Sequence, residues 1–453
     1  MPDEDLAHAL LALLGAPSAS VEGLARLSGG ASRETWAFDL LDGPSRRPLI
    51  LQRMRPGRTA SSSGISMEVE ADVLRAARAA GVPVAEVIAS DGGAVLGSAG
   101  MVVERLDGET IARKLLRDDE WAVARDRLGA QVGAAMAAVH RIPPGSVSGL
   151  TQSDQVSQYR EVLDALGEPH PAFELGLRHL DATRPALNEP RVVHGDLRLG
   201  NLLVGADGLQ ALLDWELAHL GDPMEDLGWF CVRAWRFGSP LPAGGVATRE
   251  ALAAAYEEAG GAPVDLDALR WWELLGTLKW GVMCVMQAWS HLSGATRSME
   301  HATIGRRVCE NEWDVLSLLP GPALARRTPH DPPARPTVHD RPTMAELLEA
   351  VREWVDGDVR SGTEGRLAFH ARVATNALRM LEREVALEPG LSEAHAARLG
   401  ALGCTSDAEL AARIRTGALD DRYDEVRTLV AASVHDKLLV ANPRWLEGDA
   451  ATA

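Results

Sequence analysis

The chain has 453 residues, with 46 lysines and arginines against 64 aspartates and glutamates and a formal charge of −18. That length exceeds one ordinary core and predicts two or three domains. The acidic balance argues against a protein that holds nucleic acid or an anionic membrane through a general basic surface. Four scattered cysteines, Cys231, Cys284, Cys309 and Cys404, form no Cys-x-x-Cys pair, which suits buried thiols in a reducing compartment and offers no metal-site spacing.

The chain opens Met1-Pro2-Asp3-Glu4-Asp5, acidic where a secretory leader would be basic, so the apolar residues 10–14 are expected to form a helix. From there to Asp107, β-like runs at 35–40, 49–53 and 101–106 surround one helical stretch at 66–80, which predicts a small sheet with a packed helix. Residues 110–319 read mainly as helices. The exception lies at 192–216, where short apolar runs flank the turn Gly205-Ala206-Asp207-Gly208 and predict a hairpin inside a helical lobe. The apolar region 269–292 is interrupted by Glu273, Lys279, Gln287 and His291 and falls short of a bilayer span. A soluble, cytoplasmic protein is the expectation. Proline, arginine and histidine crowd residues 320–342, an expected linker. Beyond it, apolar residues at three- and four-residue steps (Met344, Leu347, Val351, Trp354; then Leu367, Ala371, Ala374, Leu378) predict a helical bundle at 343–447.

The chemistry concentrates in His194-Gly195-Asp196-Leu197-Arg198-Leu199-Gly200-Asn201. Phosphoryl transfer needs a carboxylate to receive the attacking hydroxyl's proton and oxygen ligands to hold Mg²⁺ across the phosphates. Asp196, Asn201 and Asp214 offer those groups, in the His-x-Asp-x₄-Asn spacing of a kinase catalytic loop, with a hairpin delivering Leu213-Asp214-Trp215-Glu216.

Together with Gly221-Asp222-Pro223-Met224-Glu225-Asp226-Leu227-Gly228, these segments resemble the aminoglycoside phosphotransferase family over roughly residues 20–318. The branch they resemble most includes the kinase-like domains fused to acyl-CoA dehydrogenases. The resemblance implies an α+β, bilobal protein-kinase-like fold: a small β-rich nucleotide-binding lobe at 1–107, a helical catalytic lobe at 108–319, then the all-α bundle, which resembles an uncharacterised helical domain. It implies ATP and Mg²⁺ as cofactors, Asp196 as the catalytic base and Asn201 and Asp214 as metal ligands. His194, Asp222 and Asp226 would brace the site.

The same resemblance places a phosphate-covering loop at Gly29, Gly30 and Ser32, and an adenine-facing hinge at Glu104 and Leu106. The family's third strand carries a basic residue that pairs with a helix glutamate; here Gln52 stands at that position, so Arg53 or Arg55 would have to supply the charge opposite Glu70. Lys279 is expected to border the acceptor cleft. The expected function is phosphorylation of a hydroxyl on a small molecule, a hydroxyacyl-CoA or related hydroxy acid being favoured. An antibiotic phosphotransferase and a nucleotide-binding pseudokinase are the alternatives. Expected partners are the hydroxylated acceptor and, through the bundle, an acyl-CoA dehydrogenase or a second copy, with no nucleic acid and no membrane.

Overall fold

The computed structural model describes residues 3–27, 33–55, 64–325 and 342–451. In chain order, α1 (Asp3–Leu13), β1 (Ser20–Arg26), β2 (Arg33–Asp42), β3 (Ser45–Met54), α2 (Met67–Ala79), β4 (Val87–Asp91) and β5 (Gly100–Glu104) come first. The helices α3 (Ala112–Arg117), α4 (Ala122–His140), α5 (Gln155–Leu166) and α6 (Pro171–Ala182) follow. Four short strands come next: β6 (Arg191–Val193), β7 (Leu202–Gly205), β8 (Gly208–Leu212) and β9 (His219–Gly221). The rest is helical: α7 (Met224–Cys231), α8 (Arg249–Glu258), α9 (Leu266–Leu292), α10 (Met299–Gly305), α11 (Val308–Leu318), α12 (Met344–Trp354), α13 (Gly365–Ala401), α14 (Asp407–Arg415) and α15 (Tyr423–Ala441). The described helices include none long and apolar enough to cross a membrane.

Contacts divide the chain into two compact units, residues 1–153 with 185–273, and residues 154–184 with 274–453. In the first, an antiparallel sheet of order β1-β2-β3-β5-β4 buries Phe38, Leu40, Leu49, Leu51 and Val102 against Leu6 and Leu10 of α1. Ser66 starts α2 by accepting from the Val69 N–H at 3.3 Å, with Glu68 and Glu70 favourably placed in the first turn. Register decides which side chains share a face. Thr35 lies opposite Gln52, and Glu34 opposite Arg53, so Arg33, Thr35 and Gln52 leave one side of the sheet while Glu34 and Arg53 leave the other.

In the second unit α6 packs on α11 and α14, and α15 on α11 and α13. Buried charge is matched within it. The Arg415 Nε lies 3.1 Å from Glu174 of α6, and Glu312 of α11 meets the Lys437 ammonium at 3.2 Å and His170 at 3.1 Å. The C-terminal helices therefore share a compact unit with residues 154–184 and 274–319, and its boundaries differ from those expected at the proline-rich segment. Residues 326–341 of that segment lie outside the described residues.

Candidate active site

The catalytic-type loop follows β6 and runs into β7. The β7–β8 hairpin, paired from Leu202↔Leu212 to Gly205↔Gly208, doubles the chain back so that the Leu213 N–H donates to the Asn201 carbonyl at 2.9 Å. That bond joins the loop's last residue to the neighbour of Asp214. His194, fully buried, ties the same two segments together: its Nε2 lies 3.0 Å from the Leu213 carbonyl oxygen and its Nδ1 accepts from the Asp196 N–H at 3.3 Å. This pattern assigns the tautomer with the proton on Nε2. The ring packs on Trp215 with centroids 4.5 Å apart.

From below, Asp226 in the first turn of α7 accepts from the N–H groups of His194 at 2.8 Å and Gly195 at 2.9 Å, and from His140 Nε2 at 3.1 Å. Burial alone would raise this carboxyl. The His140 hydrogen bond, the favourable electrostatics of the His140 and His194 rings and the backbone donors outweigh it and hold the group at about 2. Asp222 accepts from Met224 N at 2.8 Å and from Asn188 N at 2.7 Å, which caps α7 and pins the strand leading to the loop. Gly195 turns at φ +77°, and a Cβ there would collide with the Leu217 carbonyl.

Asp196 itself is held by three side chains. Asn201 Nδ2 donates to its Oδ2 at 2.8 Å, Trp229 Nε1 to its Oδ1 at 3.0 Å, and Arg198 Nε lies 3.2 and 3.3 Å from the two oxygens. The Arg198 guanidinium in turn rests 5.1 Å from the Trp235 ring centroid. Beside it, Asp214 adopts φ +65°, a conformation non-glycine residues rarely take and one that recurs at functional sites. Desolvation, followed by the negative charge of Glu216 and Asp196, pushes its carboxyl up. Glu216 is also raised, by burial and by Glu70 and Asp196 against the pull of Arg33.

On the sheet side, Glu70 of α2 pairs with neither Gln52 nor Arg53. Its partner is Arg33, with Nη1 2.9 Å from Oε1 and Nη2 2.7 Å from Oε2. Arg33 Nη2 also reaches Glu216 at 3.1 Å. Arg53 faces the other side and is spent on Glu34 at 2.9–3.0 Å, because adjacent strand residues point to opposite faces. Glu104 ends β5, and its carboxylate accepts from the Glu86 N–H at 3.4 Å; Leu106 is half-buried just beyond. Gly29, Gly30 and Ser32 lie outside the described residues. Lys279 is buried on α9 in the second compact unit, its ammonium 6.0 Å from the Tyr159 ring centroid.

A model of the phosphotransferase enzyme family matches residues 23–272, more than half of the chain. The chain belongs to this family. Residues 361–445 match a domain of unknown function. A curated relative, acyl-CoA dehydrogenase family member 10 of Mus musculus, is 28% identical over 256 residues, 53% of this chain. The match spans only 23% of that relative's length. Among solved structures, a candidate aminoglycoside phosphotransferase of Ralstonia eutropha shares the fold with a TM-score of 0.53 and 21% identity, over 68% of this chain and 97% of its own. A spectinomycin phosphotransferase in complex with ADP and spectinomycin gives a TM-score of 0.51 and 13% identity, over 70% and 100%. The kinase-like, family-type architecture expected from the motifs is thus the one observed, a small antiparallel sheet with a mainly helical remainder.

Within this phosphotransferase the charge balance fits a divalent cation. Asp214 is held above its ordinary carboxylate range by desolvation and by Glu216 and Asp196, and Glu216 by desolvation and by Glu70 and Asp196, and Asn201 turns its Nδ2 to Asp196, both to the backbone oxygen and to the carboxylate, leaving the amide oxygen for other work. No group of three or more His, Cys, Asp or Glu side chains is preassembled as a metal site among the described residues. A metal held by Asp214 and Asn201 would therefore complete its shell with ligand oxygens that the protein does not supply, as Mg²⁺ at phosphates does. Motif reading alone missed Arg33, Arg198 and Trp229. Arg198 sits inside the His194–Asn201 motif and carried a signal, as a cation two residues from Asp196. Trp229 is 33 residues from Asp196 and carried none.

Proposed function

We propose that the chain is a Mg²⁺/ATP-dependent kinase acting on a hydroxyl of a small molecule, a hydroxyacyl-CoA or related hydroxy acid, in the cytoplasm. The observation that carries this reading is the Asp196 carboxylate, oriented by Asn201, Trp229 and Arg198 next to the strained, charge-crowded Asp214. When bound, Mg²⁺/ATP supplies the transferable phosphoryl group and neutralises charge on the phosphate oxygens. Asp196 receives the acceptor hydroxyl's proton on a carboxylate oxygen as that hydroxyl attacks. Asp214 and Asn201 offer the metal ligands, while the Asp226 and His194 bonds fix the loop so that little reorganisation remains for the reaction.

The acceptor class draws on the relative named as an acyl-CoA dehydrogenase family member. The same relative supports an acyl-CoA dehydrogenase as the partner of the C-terminal helices. Mass spectrometry of products formed from Mg²⁺/ATP with a panel of hydroxyacyl-CoAs, hydroxy acids and aminoglycosides, with Asp196→Asn as control, tests the reading. A phosphorylated hydroxyacyl-CoA made by the native chain and absent with the variant is the expected result. A phosphorylated aminoglycoside alone would move the acceptor to the antibiotic class. ATP binding without any product would favour the second reading, a nucleotide-binding pseudokinase, which Gln52 motivates.

A further inference from the structure

Gln52 leaves the third strand without the cation that would meet nucleotide phosphates, yet a cation stands on the same face. Arg33 opens β2 opposite Met54, and Thr35 lies opposite Gln52, so Arg33 projects from the same side of the sheet one pleat along the diagonal. Its guanidinium is nearly buried, 12% exposed, and clamps Glu70, which is 2% exposed, through both terminal nitrogens at 2.9 and 2.7 Å. Glu216, two residues beyond Asp214, takes a second contact at 3.1 Å and is 36% exposed. Neither contact uses Nε. Glu70 is thus the permanent partner, buried and engaged by both nitrogens, whereas Glu216 is the solvent-side partner that an incoming anion can displace.

We infer that Arg33, donated by the second strand, is the nucleotide-positioning cation of this enzyme, replacing the basic residue absent at Gln52. It is held ready by Glu70 and exchanges Glu216 for the ATP phosphates. This rests on the nucleotide reading above. An arginine matches phosphate oxygens with paired, charge-assisted hydrogen bonds. A flat fork anchored at one edge by a carboxylate loses little side-chain freedom when the phosphate arrives. The exchange would free the Glu216 carboxylate beside Asp214, one of the residues that would hold the metal.

The test is a titration of full-length protein with ATP and with adenosine, each with and without Mg²⁺, comparing the native chain, Arg33→Met and the double variant Arg33→Met/Gln52→Lys. Arg33→Met should weaken ATP binding by about tenfold or more, the scale of a lost charge-assisted contact, and leave adenosine unchanged. Moving the charge back to the third strand should return ATP affinity to within about threefold of native. Equal ATP affinity for native and Arg33→Met would overturn the inference, as would equal losses for ATP and adenosine. Should Arg33→Met fail to fold, the double variant decides. Near-native ATP affinity then supports the role, and a loss of about tenfold or more, or a chain that also fails to fold, overturns it in favour of a purely structural clamp. A native chain that binds no ATP would bring down the kinase reading itself, whereas native binding that Arg33→Met leaves intact removes only the assignment of Arg33.

Discussion

Asp226 and Asp214 stand beside the same loop, the first fully buried and the second open to solvent, and their surroundings push them in opposite directions. Asp226 faces two backbone N–H groups and a histidine, and is held at about 2. Asp214 is raised, first by desolvation and then by the negative charge of Glu216 and Asp196. The second compact unit repeats the first pattern: Glu312, equally buried, is held at about 2 by Lys437 and His170. Carboxylates that hold this chain together are matched donor by donor. Those gathered at Asp214, Glu216 and Glu70 are each raised, by desolvation first and then by negative charge that Arg33 does not fully offset. Such concentrations of like charge, sustained by the surrounding fold, mark functional sites.

The largest effect expected on chemistry is from Asp196→Asn, which should lower kcat by about 10²–10⁴ while ATP affinity and melting temperature stay near native. A melting temperature that fell with activity would place Asp196 on the structural side of the comparison. Asp226→Ala should act the other way round, destabilising the fold by roughly 3–5 kcal/mol in denaturant titration, because His140 and two backbone donors lose a buried partner. Its pH signature follows from the sign of the shift. With a folded value of about 2, below the ordinary carboxylate value, Asp226 contributes stability that is complete above pH ~4 and lost as pH falls toward 2, roughly 2 kcal/mol in all. An acid limb in native melts that Asp226→Asn flattens would sharpen the contrast; an unchanged limb would break it. Gly195→Ala should cost about 1–3 kcal/mol through its left-handed backbone and the Leu217 carbonyl. Asp222→Ala, losing the α7 cap, should cost about 1 kcal/mol in the same melts.

The features legible in the sequence are local ones. The spacing from His194 to Asn201, the turn that closes the β7–β8 hairpin and the helical stretch at 66–80 each act over a few residues, and each has its structural counterpart. Strand β1 was not legible because Val21 and Leu24 break the two-residue period, and its ladder shifts register between Glu22 and Ala25. The partner of Glu70 was not legible either. Adjacent Gln52 and Arg53 differ by one residue in sequence but by a whole face in the sheet, and Arg33 is 37 residues from Glu70. The grouping of the C-terminal helices with 154–184 depends on pairs such as Arg415–Glu174, 241 residues apart, which no periodicity announces.

The central claim is that the surplus charge around Asp214 is kept for a cation arriving with the nucleotide, and thermal unfolding of Asp214→Asn with and without Mg²⁺/ATP tests it most directly. Asparagine suits the left-handed backbone at this position, so the substitution removes charge and little else. Because the folded-state value of Asp214 is raised, its ionisation destabilises the fold at neutral pH, and that penalty disappears as pH falls through the raised value to below the ordinary carboxylate range. The account predicts that Asp214→Asn melts higher than the native chain at pH 7, loses that advantage in acid, and no longer gains stability from Mg²⁺/ATP, which should raise the native chain by about 2–3 kcal/mol at a hundredfold excess over Kd. A variant that melts lower than native at pH 7 yet still responds fully to Mg²⁺/ATP would contradict it.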